Sequence, residues 1–158
     1  MQPINREVKK RKAAIHVDPA LLAGSTEVRL LLAQARNAAF AEAARGQLGI
    51  GLSMLQDALV QQPMSHDLMS DMAALLLSAG ELDHAVNYSR QALSLVADHG
   101  PSMYALGFAL SGQGRLTEAR EVLAQLLGGP GLHSLQREAA DLIPLARIEL
   151  ARLEELRG

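Results

Sequence analysis

Residues 103–127 read MYALGFALSGQGRLTEAREVLAQLL, with Gly114 near the middle. Met103, Leu106, Ala109 and Leu110 precede that glycine, and Leu116, Ala119, Val122, Leu123 and Leu126 follow it. Spacings of three and four put each set on one stripe of a helix, so the stretch predicts two amphipathic helices with a turn between them. Glycine suits the left-handed backbone that closes the first helix. The small side chain of Ala119 lets the second helix approach the first closely, with Leu and Met filling the gaps on either side.

The same pattern recurs upstream at a constant interval. Gly46, Gly80 and Gly114 are 34 residues apart, and Leu48, Leu82 and Leu116 each follow two places later. Five places after each glycine stands a small residue, Gly51, Ala85 or Ala119, and further columns hold Leu55, Ser89 and Leu123, then Leu59, Leu93 and Leu127. A fixed period of this length marks stacked helical hairpins. Ser65 is positioned as an N-cap, and Pro101 sits where a first helical turn tolerates proline.

Composition agrees with this reading. The 158 residues suffice for one domain, and 49% are apolar, enough for a packed interior. Aromatics are only 3%, and most of the apolar material is Ala and Leu, which favours helix over strand. The absence of cysteine removes disulfides, thiolate nucleophiles and Cys-ligated metal sites. Arg6, Lys9, Lys10, Arg11 and Lys12 oppose a single Glu7 in the first 12 residues, while the net charge is −2, so a basic arm precedes an acidic body. Such an arm contacts nucleic acid, anionic lipid or an acidic partner, or is a solvated tail; with no interleaved aromatic, nucleic-acid binding is not expected. Residues 13–22 are too short and polar for a secretory core, and no apolar run approaches a membrane span. A cytoplasmic location is expected.

The 34-residue period, Leu106-Gly107, the turn glycines, the small residue of the second helix and Pro63 or Pro130 near the repeat ends resemble the tetratricopeptide repeat family. Three copies are bounded at about 32–65, 66–99 and 100–133, within a repeat region of 25–133. Residues 1–24 are the basic arm, and 134–158 are expected to form a C-terminal capping helix kinked at Pro144 or restarting there. The fold implied is all-α, a right-handed superhelix of three helix-turn-helix repeats closed by that cap. In the family the first helices line a concave groove, and the resemblance places Arg36, Asn37, Phe40, Asp67, Asp71, Tyr104 and Phe108 there. Phe40, Tyr104 and Phe108 then either anchor an apolar segment of a partner or pack against the tail or the arm. Asp67 and Asp71, one turn apart, meet a basic side chain, hold a divalent ion weakly, or form a solvated acidic face. A clamp for a C-terminal carboxylate is disfavoured, since Arg36 and Asn37 are the only candidates for it.

Enzyme signatures are absent: there is no phosphate loop or nucleophile elbow. The five histidines are scattered without an i, i+4 pair, so a metal site is expected to need ligands from another chain, and neither metal nor cofactor is expected. The function implied is a protein-protein interaction adaptor or chaperone that captures a partner segment in the groove. Size, repeat number, basic leader and apolar groove are similar to the bacterial type III secretion chaperones of hydrophobic translocators. The alternative is a self-assembling scaffold subunit, a homo-oligomer built through its repeats.

Overall fold

The structure, a computed structural model, describes residues 26–157. The basic arm lies outside the described residues. Consecutive helices are α1 (Thr26–Ala44), α2 (Leu48–Gln61), α3 (His66–Ser78), α4 (Leu82–Leu95), α5 (Gly100–Gly112), α6 (Leu116–Gly128), α7 (Gly131–Ala139) and α8 (Ile143–Arg157), with a 3-10 turn over Ala140–Leu142. No strand occurs among the described residues, and the fold is all-α.

The hairpin turns explain the period. Gly46, Gly80 and Gly114 have φ of 84°, 76° and 78°, and they are the positive-φ residues of the described chain. Each turn closes its first helix by the same two bonds. Gly80 N–H donates to Leu77 O at 3.0 Å and Glu81 N–H to Leu76 O at 2.9 Å, and Gly114 and Arg115 repeat this with Ser111 and Leu110. This is the Schellman arrangement, in which a left-handed residue turns two orphan carbonyls into acceptors. Side chains are disfavoured at that φ, so glycine returns every 34 residues.

Between the turns, small residues set how closely the paired helices approach. A Cβ on Gly51 would stand 2.7 Å from the Ala39 carbonyl oxygen, and Ala85 and Ala119 in the same column have no exposed surface. Leu55, Leu123 and Leu126 are fully buried beside them, as is Ser89, whose hydroxyl donates to Ala85 O at 2.7 Å. That back-bond lets a polar residue occupy a leucine column without an unpaired hydroxyl. At the entry to α3, Ser65 Oγ accepts from Leu68 N–H, and Pro101 lies in the first turn of α5. Helix α2 packs on α3, α4 on α5, and the first helices α3 and α5 touch directly, so the hairpins stack in series.

Of the kink or restart expected at Pro144, the C-terminal segment shows the restart. It breaks earlier: Ala139 (φ −157°, ψ 61°) ends the first run, a 3-10 turn follows, and Pro144 is the second residue of the restarted helix. In an unbroken helix a proline removes a bond and clashes with the preceding turn; in a first turn it does neither. Helix α7 packs on α5 and α6, and α8 on α6. Leu135 on α7 and Ala146 and Leu153 on α8 are fully buried and close the end of the stack.

The cap is joined to α5 at backbone range. Gly100 N–H donates to Ser134 Oγ, and a Cβ at Gly100 would lie 2.2 Å from the Gly131 carbonyl oxygen. Glu149 of α8 accepts from the hydroxyl of Ser111 at 2.6 Å and holds Arg152 alongside.

Candidate functional site

The first helix of each pair turns one face to a common concavity of about 450 Å³. Arg36 and Phe40, one turn apart on α1, form one wall. Asp71, Ala74 and Leu77 of α3 form the floor, and Pro101, Tyr104 and Ala105 of α5 continue it. Glu138, Ala139 and Leu142 of the cap make the opposite wall. Helical spacing of three and four in α1, α3 and α5, combined with parallel stacking, is what brings residues 36, 71 and 104 into one groove.

Phe40 retains 38% of its surface, whereas Tyr104 and Phe108 are half-buried and pack on the core. Their rings lie 4.4 Å apart between centroids, tilted by 30°. Burial, and then the negative charges of Asp141 and Glu149, push the Tyr104 phenol above its usual range. Tyr104 lines the cavity opposite Ala139 and Leu142 of the cap. Phe108 is not part of the cavity lining, and Asn37 is exposed outside it.

The polar end of the groove is a connected cluster. Arg36 grips Asp71 with two nitrogens, Nε to Oδ2 and Nη2 to Oδ1, the latter at 3.1 Å. Its Nη1 is 3.8 Å from Asp67 Oδ2. Asp71 is buried, and that burial raises its carboxyl above the ordinary range although Arg36 draws it down. Asp67 is lowered instead, first by the facing ring of His99 and, against its desolvation, by Arg36. Arg36 is thereby committed to two carboxylates of its own chain.

Behind Asp67 stand two histidines that sequence reasoning left apart. His66 Nε2 and His99 Nε2 are each 3.6 Å from Asp67 Oδ1, and their rings meet edge-on at 4.8 Å. Stacking brings one nitrogen or oxygen each of His66, Asp67 and His99 of one chain within 4.8 Å of one another, a juxtaposition their scattered sequence positions do not show. The repeat period carried the signal. His99 is one period after Ser65, so residues 65–66 and 99–100 lie side by side where successive first helices begin.

Residues 76–128 match the tetratricopeptide repeat family. Among solved structures, the TPR domain of Sgt2 from Aspergillus fumigatus is similar at 18% identity, covering 85% of this chain and 84% of that one with a TM-score of 0.66. The second TPR domain of human RPAP3, solved in complex with the HSP70 peptide SGPTIEEVD, is similar at 15% identity, covering 80% and 98%, with a TM-score of 0.62. No curated protein matches. The match and both likenesses support a TPR superhelix. No helix among the described residues is long and apolar enough to cross a membrane.

Proposed function

We propose that the chain is a protein-interaction adaptor or chaperone that holds a segment of a partner in the concave groove. The observation that carries this reading is the groove itself: Phe40 is turned outward beside Tyr104, Ala74 and Leu77, in a cleft framed by three first helices and the cap. Aromatic anchors in such clefts dominate binding energy while their neighbours exclude water. The similar RPAP3 domain was solved with a bound peptide, which supports peptide capture as a use of this fold. Recognition of a C-terminal carboxylate is not the mode inferred here, because Arg36 is already paired with Asp71 and Asp67. Glu138 in the cleft lining and Asp141 near Tyr104 favour an apolar segment flanked by Lys or Arg.

The test is capture of immobilised peptides of that composition by the full-length chain, compared with Phe40→Ala. A hot-spot contact predicts a loss of affinity of roughly 30-fold with little change in melting. Equal capture by both proteins would remove the groove from the mechanism. The narrower reading, a type III secretion chaperone for a hydrophobic translocator, is supported by the basic leader and the apolar cleft. It predicts that an apolar translocator segment stays dispersed only in the presence of this chain.

One feature favours a second reading, self-assembly. Leu145, Ile148 and Leu156 form an exposed apolar stripe along α8. Light scattering over a concentration range tests it: steady growth supports a scaffold, and a constant mass supports the adaptor.

A further inference from the structure

We propose that His66, Asp67, His99 and Glu138 form a site for one divalent transition-metal ion of the zinc type, which fastens the start of α3, the N-cap of α5 and the cap together. His99 and Glu138 also line the groove, so the ion is titrated without any peptide. His66 and Asp67 open α3, His99 caps the start of α5, and Glu138 comes from α7. His99 is about 95% buried, yet its Nε2 makes no hydrogen bond. That nitrogen stands 3.2 Å from Glu138 Oε2 and 3.6 Å from Asp67 Oδ1, with the edge of His66 beside it. A buried polar atom without a well-formed partner is costly, and a cation held jointly by that nitrogen and the two carboxylate oxygens removes the cost.

The spacing suits such an ion. Ligands about 2.0–2.1 Å from a tetrahedral zinc lie roughly 3.3–3.4 Å apart; three of the six ligand pairs here are 3.2, 3.6 and 3.6 Å, the histidine nitrogens lie within 4.8 Å of each other, and the half-buried His66 and the outer Glu138 are the side chains that would close in on an ion. His99 Nδ1 is 2.7 Å from the buried Ser102 hydroxyl. Donation from Nδ1–H to that oxygen leaves Nε2 as the ligand and fixes the ring, the usual support for a metal-bound histidine. Arg36 occupies the other oxygen of Asp67 and leaves Oδ1 to the histidines. Two imidazoles with two carboxylates favour zinc-like ions over calcium or magnesium, which prefer all-oxygen shells, and the two negative charges balance a divalent ion. A cleft of about 690 Å³ lined by His66, His99 and Glu138 gives access from solvent.

The experiment uses the full-length chain freed of metal by a chelator. Zinc chloride is titrated calorimetrically, and cobalt chloride is followed by visible absorption. The expected result is one ion per chain, a tetrahedral cobalt spectrum and a melting temperature raised by zinc. His99→Gln should weaken zinc binding by more than the roughly 10–100-fold that losing a supporting group costs. His66→Gln and Asp67→Asn, at less buried positions, give the same readout should His99→Gln fail to fold. His84→Gln, at an exposed histidine elsewhere, should bind as wild type does. Zinc binding that survives all three ligand substitutions, an octahedral cobalt spectrum, or an NMR titration in which the His99 ring ionises and ignores zinc would each overturn the proposal.

Discussion

Gly80→Ala isolates the backbone requirement from every side-chain contact, because a Cβ at Gly80 would meet nothing within 4 Å. On contacts alone the substitution should be neutral, and on chain entropy it should stabilise by about 0.4–1 kcal/mol. The φ of 76° reverses the sign. An L residue held in the left-handed region costs about 1–2 kcal/mol, so the net loss is about 1 kcal/mol. For a chain of this size that lowers the melting temperature by roughly 2–4 °C. Gly49→Ala is the internal control: this glycine is helical, early in α2, and equally open, so alanine there should stabilise by up to about 1 kcal/mol. Circular-dichroism melts and urea titrations of the two variants measure the difference directly. Should Gly80→Ala melt at or above wild type while Gly49→Ala melts below it, the account of the period as a recurring left-handed turn is wrong.

Two further outcomes concern the cap. Gly100→Ala should force α7 away from α5, since its Cβ would face backbone at 2.2 Å and 2.6 Å; overpacking of this kind costs about 1–3 kcal/mol, and hydrogen exchange should rise selectively over 131–157. Glu149 is held below the usual carboxylate range, first by Arg152 and, against its desolvation, by the Ser111 hydroxyl. A depressed carboxyl contributes stability above its unfolded value, about 4.3, that is lost as pH falls through the folded value. Glu149→Gln should therefore cost about 0.2–1 kcal/mol at pH 7 and show a shallower acid limb, measured by urea titration between pH 7 and pH 3. An acid limb as steep as that of wild type would mean the Glu149 tie contributes nothing.

The repeat was legible because its constraints are local. A left-handed turn demands glycine, and a close crossing demands Gly51, Ala85 or Ala119; both leave residue-type signatures at fixed intervals. Ser65 and Pro101 mark helix starts for the same reason. The cap was less legible, since Pro144 signals only that a helix does not run through it, and Ala139, where the chain turns, carries no special side chain. The groove depended on knowing the stack. Arg36 and Asp71 are 35 residues apart and meet only because neighbouring first helices lie parallel. The histidine pair was missed because a search within one helix tests i, i+4, whereas His66 and His99 are neighbours across the repeat.

The join between α7 and α5 bears on how any guest enters. Gly100 and Gly131 bring two main chains together at one end of the cap, and Ser111, Glu149 and Arg152 moor its far end. Moored twice, the fourth wall is a fixed jaw, and the width of the opening is a gauge built into the molecule. For a groove that holds a guest, as proposed, this selects by girth before any charge or ring is read, and a bulky residue at Ala139 should exclude large side chains while still admitting small ones.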